Sequence, residues 1–284
     1  MAYTRRQFLR RVPAFGAFAV PIGVRHRGFF TTVSDTLAQS QPDWPTPPVP
    51  GSPVDDSFPA LHPALVKETV AVSHSSLARV TELVQQHPAL AKASWDWGYG
   101  DAETALGAAS HVGQRAIAEL LLERGAPPTL FSAAMLGQLD IVKAFVAASP
   151  GLQRLRGPHS LSLMVHARAG GPSARAVVTY LEALGDAGLP MRDEPLTTDE
   201  RAMLDGRYVF GDRPRDAFIV STTATQVAIV RAGSTSRNLM HVGSLEFNTP
   251  GAPAVRIRFE REGTAIAALT LSDPDLVVRA RRMA

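Results

Sequence analysis

No cysteine occurs anywhere in the 284 residues, which excludes disulfides, thiol nucleophiles and cysteine-ligated metal. The chain also lacks a Gly-x-Ser-x-Gly elbow, a Ser-x-x-Lys pair, a His-Glu-x-x-His zinc helix and a Gly-Lys-Thr phosphate loop. The common hydrolase, zinc-protease and nucleotide-binding chemistries therefore have no anchor residues, and no catalytic residue is assigned. A long apolar run is missing as well. The stretch from Val12 to Val24 is interrupted by Pro13, Gly16, Pro21 and Gly23 and is too short to span a bilayer comfortably.

What is present begins with charge. The net +3 conceals an uneven distribution, because Arg5, Arg6, Arg10, Arg11, Arg25 and Arg27 lie in the first 38 residues against Asp35 alone. The remainder is close to −2, so the basic balance belongs to the leader and does not point to a nucleic-acid partner. Thr4-Arg5-Arg6-Gln7-Phe8-Leu9-Arg10 resembles the twin-arginine export signal of pattern Ser/Thr-Arg-Arg-x-Phe-Leu-Lys, followed by an apolar core of signal-peptide length. The resemblance implies a signal peptide over residues 1–38 and export of the folded protein to the periplasm. The segment is either cleaved near Ala38 or kept as an anchor, which would be the only membrane contact. Residues 39–60 are proline-dense and read as an extended spacer.

Beyond Leu61 the pattern turns helical. Leu77, Val80, Leu83 and Val84 recur at spacings of three and four before His87-Pro88. Similar runs stop at Gly125, at Ser149-Pro150 and at Gly185. The residues Thr104-Ala105-Leu106-Gly107-Ala108-Ala109 through Ile117 to Leu122 and Gly125-Ala126 resemble an ankyrin repeat, and Leu130 to Val142 is similar again. This resemblance implies an α + β multidomain chain: an ankyrin-type α-solenoid of about four repeats over residues 61–189, a connector over 190–203, and a C-terminal β-domain over 204–284. In that last part, alternating runs such as Val255-Arg256-Ile257-Arg258-Phe259 predict a small antiparallel sheet or half-barrel. Leu204-Asp205-Gly206-Arg207-Tyr208 and the ending Val278 to Arg282 are similar to small β-domains appended to serine β-lactamase-like exported proteins, a resemblance that implies no chemistry. Residues 39–200 carry 11 basic and 17 acidic side chains and residues 201–284 carry 12 and 8. Opposite signs favour docking of the two parts, with the β-domain expected to cap the last repeat.

Ankyrin arrays bind through their hairpin fingers, so the resemblance directs attention to the finger over residues 93–103, which holds Trp95, Trp97 and Tyr99. These are the expected partner-binding anchors, since large rigid aromatics dominate interface energies. The alternative is that a tryptophan roofs the core between helix pairs. Arg154, Arg156 and His159 are expected either as a polar rim to that surface or as solvated loop residues. His111 and His166 fall at repeat turns and are read as backbone-bonded, so no metal or cofactor is expected. Asp96, Asp101 and Glu103 share the finger, but closeness on a solvated loop does not make an acid–base pair. The resulting expectation is an exported, non-enzymatic protein that grips another cell-envelope protein. The alternatives are a small-ligand carrier or sensor using the β-domain and, behind it, an unrecognised hydrolase.

Overall fold

The computed structural model describes residues 54, 56–274 and 276–283, so the export motif and most of the spacer lie outside the described residues. Helices come first. α1 (Pro63–Val72) starts on the His62 side chain, whose Nδ1 accepts from the Ala64 amide, and α2 (Leu77–Gln86) starts on Ser76. Pro88 ends α2 because a proline has no amide to continue the ladder. A two-stranded hairpin, β1 (Ser94–Asp96) and β2 (Ala102–Thr104), leads into α3 (Ala105–His111), capped by Thr104. Then follow α4 (Arg115–Glu123), α5 (Leu130–Met135), α6 (Leu139–Ala148), α7 (Leu163–Ala169), α8 (Arg175–Leu184) and the connector helix α9 (Thr198–Leu204). Each of α3, α5, α7 and α9 begins on a Ser or Thr oxygen that accepts an orphan amide of the first turn.

Eight strands complete the chain: β3 (Gly206–Val209), β4 (Ala217–Thr222), β5 (Val227–Arg231), β6 (Arg237–Gly243), β7 (Glu246–Thr249), β8 (Ala252–Glu262), β9 (Ala265–Asp273) and β10 (Leu276–Arg282). They pair antiparallel in chain order, and β10 returns to β3 through Arg281 opposite Val209 and Arg282 opposite Tyr208. The sheet is thus a closed barrel. Along β8, Val255, Ile257 and Phe259 are buried inside while Arg256 and Arg258 face out, where both meet Glu246. Tyr208, Phe247 and Phe259 stack edge-to-face through the interior. The Tyr208 hydroxyl donates to the Leu204 carbonyl at 2.7 Å, tying α9 to the barrel.

The expected architecture, an ankyrin-type solenoid followed by a small sheet or half-barrel, is overturned. Nine short helices accompany a complete eight-stranded barrel among the described residues. A solenoid shares one apolar spine, whereas the helices here bury two clusters. One is built on Leu83, Leu90, Leu106 and Leu121 and the other on Leu163, Val177 and Leu181, with the barrel interior as a third. Closure removes the free sheet edges that a half-barrel would leave. The capping expectation changes too. The barrel joins the helices through the β1–β2 hairpin and the loop before α7: Arg237 pairs with Asp101 at 2.9 Å, the Gly251 amide donates to Ser160 Oγ at 2.6 Å, and Tyr99 packs on the barrel core.

Candidate functional site

The hairpin turn sets the site. Gly98, Tyr99 and Gly100 all have positive φ, and the Gly98 amide donates to Asp96 Oδ1 at 2.7 Å. Tyr99 carries a φ of 59°, a left-handed conformation uncommon for an aromatic residue, and in it the ring reaches the barrel. Trp95, Trp97 and Tyr99 then line one side of a cleft of about 710 Å3, with Phe210, Phe218, Ile229 and Leu271 of the barrel mouth on the other. Among the described residues three cations line this cleft, Lys67, Arg231 and Arg237, against the single acid Asp96. Lys67 Nζ lies 5.8 Å from the Trp95 ring centroid, and the Arg231 guanidinium lies 5.5 Å from that of Phe210. Arg237 is committed to Asp101 and Arg231 approaches Asp216 at 3.6 Å, whereas Lys67 has no ion pair among the described residues. Burial holds the Tyr99 hydroxyl above its ordinary pKa, with the nearby Asp273 acting in the same direction.

Behind the finger sits a polar cluster. β2 projects Glu103, fully buried, into the helical side. Its Oε2 accepts from Trp97 Nε1 at 2.7 Å, and its Oε1 lies 2.9 Å from His111 Nε2, 3.3 Å from His159 Nε2 and 3.5 Å from His74 Nε2. His74 comes from the turn after α1, His111 ends α3, and His159 lies in the loop before α7, itself at a φ of 57°. Asp101, also buried, accepts from the His159 amide at 2.8 Å and from His159 Nδ1 at 2.7 Å, besides Arg237. The barrel turn presses on it so closely that a Cβ at Gly251 would stand 2.2 Å from Asp101 Oδ1. Burial alone would raise the Glu103 carboxyl, but the bonds from His111, His159 and His74 outweigh it and hold the group well below the usual carboxylate range. Asp101 follows the same logic, with His159 and then Arg237 overcoming burial. Reciprocally, Asp101 and then Glu103 lift His159 to about 9, and Glu103 raises His74.

The residues singled out in the sequence do not form one surface. Trp95, Trp97 and Tyr99 come together at the cleft. His159 belongs to the buried cluster rather than to a rim. Arg156 braces its own loop by donating to the Ser160 carbonyl at 2.8 Å and to the Leu189 carbonyl. Arg154 is largely exposed, 3.8 Å from Asp186. The sequence singles out neither His74 nor Arg237, and its readings of Asp101 and Glu103 as solvated and of His111 as backbone-bonded are overturned, because both carboxylates are buried and His111 bonds Glu103. The one available signal was the placement of histidines at successive helix turns, which His111 shares with His166. His166, however, is buried beside Phe131 with neither ring nitrogen partnered among the described residues, and burial lowers its pKa to about 3.

No family model, curated protein or solved structure matches the chain. Among the described residues no helix is long and apolar enough to cross a membrane.

Proposed function

We propose that this chain is an exported, non-enzymatic binding protein of the bacterial cell envelope. It holds a small organic anion with a flat apolar body between the finger and the barrel mouth. The observation that carries the reading is the cleft itself. Its volume of about 710 Å3 falls in the range of small-molecule sites, its walls are aromatic and aliphatic, and its cations outnumber its acids. Trp95, Trp97 and Tyr99 supply stacking faces, and Lys67, which no carboxylate neutralises among the described residues, supplies the charge for an anionic head. Eight-stranded barrels close around an interior just wide enough for side chains or one small ligand. Here the interior is filled by Tyr208, Phe247 and Phe259, so the ligand's place is at the mouth. The twin-arginine-like leader supports export.

Fluorescence titration of the full chain with 8-anilinonaphthalene-1-sulfonate, an aromatic sulfonate, tests the reading. Saturable binding of one probe per chain is expected, weakened about tenfold, or ~1.4 kcal/mol, by Trp95→Ala and by Lys67→Met. Equal affinity in the wild type and both variants would remove the cleft as the site. A second reading, with another envelope protein as partner, is favoured by Ile141 and Phe145, an apolar pair on α6 that stays 45% and 42% exposed. Capture of one periplasmic protein by the wild type, lost on Ile141→Ser/Phe145→Ser and kept in Trp95→Ala, is the outcome that would favour it.

A further inference from the structure

We infer that His74, Glu103, His111 and His159 form a binding site for a divalent transition-metal ion of the zinc class, independent of any ligand in the cleft. One ligand atom from each of the four lies within 4.8 Å of the others. The close separations are 2.9 Å for Glu103 to His111, 3.1 Å for His74 to His111, 3.3 Å for His159 to Glu103 and 3.5 Å for His74 to Glu103. Ligands held at zinc's bond lengths of roughly 2.0–2.1 Å in a tetrahedron stand about 3.4 Å apart along each edge. Four of the spacings already match that figure to within half an ångström or so. The remaining separations are no more than 4.8 Å and would close by small movements of the ligating side chains, of which His74 is the most exposed.

Proton accounting strengthens the case. A neutral imidazole carries one N–H. His74 commits its proton outward, with Nδ1 donating to the Ala71 carbonyl at 2.9 Å, and His159 does the same toward Asp101 at 2.7 Å. Loss of the inward protons, which ligation requires, leaves an Nε2 lone pair on each of these rings facing the Glu103 carboxylate while the outward N–H bonds stay in place. His111 faces both the carboxylate and His74 through its own Nε2. Three imidazole nitrogens and one anionic oxygen thus converge on one space, where a single dication would take the place of the protons that bridge them.

The surroundings have the form that metal ligands require. The Asp101–His159 pair is a carboxylate–histidine arrangement fixing the ring and its tautomer, and Asp101 is fixed in turn by Arg237. The ligating carboxylate is held at its other oxygen by Trp97. Nitrogen predominance favours zinc and its neighbours over calcium or magnesium, which take oxygen. Side chains of His74 and His159 are 28% and 27% exposed, which gives an ion a way in. With four protein ligands drawn from the α1 turn, β2, α3 and the loop before α7, the ion acts as a cross-link among helices that share no continuous core.

The test uses the full chain without a polyhistidine tag, stripped by chelator and titrated with Zn2+ by calorimetry and with Co2+ by absorption. Expected are one ion per chain, the intense visible bands of four-coordinate cobalt, and a Tm rise of roughly 5–10 °C with zinc at about 100 times its Kd. His74→Gln/His159→Gln should weaken binding by at least about 100-fold, and Asp101→Asn by roughly 10–100-fold at unchanged stoichiometry. His87→Gln should leave Kd unchanged. If circular dichroism finds the double variant unfolded, His74→Gln alone decides, with a loss of about tenfold or more expected. Substoichiometric zinc, pale six-coordinate cobalt, or an affinity indifferent to the His74 substitution would overturn the site.

Discussion

Replacing Trp97 with phenylalanine isolates the bond that joins the cleft wall to the buried carboxylate. Trp97 Nε1 donates to Glu103 Oε2 at 2.7 Å, and Glu103 is fully buried. A hydrogen bond to a charged acceptor contributes about 1.5–3 kcal/mol, and the stranded oxygen cannot turn to water for compensation. Phenylalanine keeps an aromatic wall, and Trp97 is only partly buried, so lost area adds no more than about 1 kcal/mol. A loss of about 2–3 kcal/mol is therefore expected. For a folded unit of this size it lowers Tm by roughly 4–12 °C. Urea unfolding followed by circular dichroism, with chelator present throughout, measures the effect without metal. The same substitution in a Glu103→Leu background should cost at least ~1 kcal/mol less, because the acceptor is already gone. A change within ~0.5 kcal/mol of wild type, or strict additivity of the two substitutions, would show that the bond does not hold the finger and would refute the reasoning.

Other consequences are open to measurement. Asp101→Ala leaves the nearly buried Arg237 without its carboxylate and is expected to cost about 3–5 kcal/mol in urea melts, partly restored by adding Arg237→Met. Tyr208, buried and donating to Leu204, has its phenol pushed up to about 12. Its folded pKa thus exceeds the unfolded value near 10, so its contribution is complete below pH 10 and lost as pH rises toward 12, by up to about 3 kcal/mol. Tyr208→Phe should flatten that alkaline limb of the stability profile while costing about 1 kcal/mol at neutral pH.

Local signals in this chain were readable because they depend on neighbours in sequence. Pro88, Gly125 and Gly185 lie just beyond the ends of α2, α4 and α8, with both glycines at positive φ, the conformation that a helix terminus favours and side chains resist. The alternation of Val255, Ile257 and Phe259 with Arg256 and Arg258 set the two faces of β8. Barrel closure was not readable in the same way. The pairing of Arg281 with Val209 joins the two ends of the β-region, and alternation is identical in an open and a closed sheet. The metal-ligand constellation escaped for a similar reason. His74 and His111 stand 37 residues apart, and no single helix or turn carries two of the three histidines, so no short spacing motif exists to find. Reading the finger carboxylates as solvated missed burial that the barrel supplies: Gly251 and Arg237 close over Asp101 from outside the helical part.

That burial explains why charge accumulates where the two halves of the fold meet. An acidic helical part and a basic β-part attract through solvent only weakly, since ions screen surface charge within about 10 Å. At the junction the attraction is concentrated into Asp101 and Arg237, side chains 2% and 12% exposed, where screening is small. Two buried carboxylates on one short hairpin would repel and would each resist desolvation. Three imidazoles, one guanidinium and one indole N–H are placed around them instead, so every carboxylate oxygen of Asp101 and Glu103 faces a polar partner. Satisfying these groups fixes the finger from beneath, while Tyr99 fixes it from the barrel side. The cleft inherits its shape from that arrangement, because Trp97 and Arg237 present one part of themselves to the cavity and another to the carboxylates. Glu103 and Asp101 therefore each reach the cleft wall through one side chain, Trp97 and Arg237 respectively.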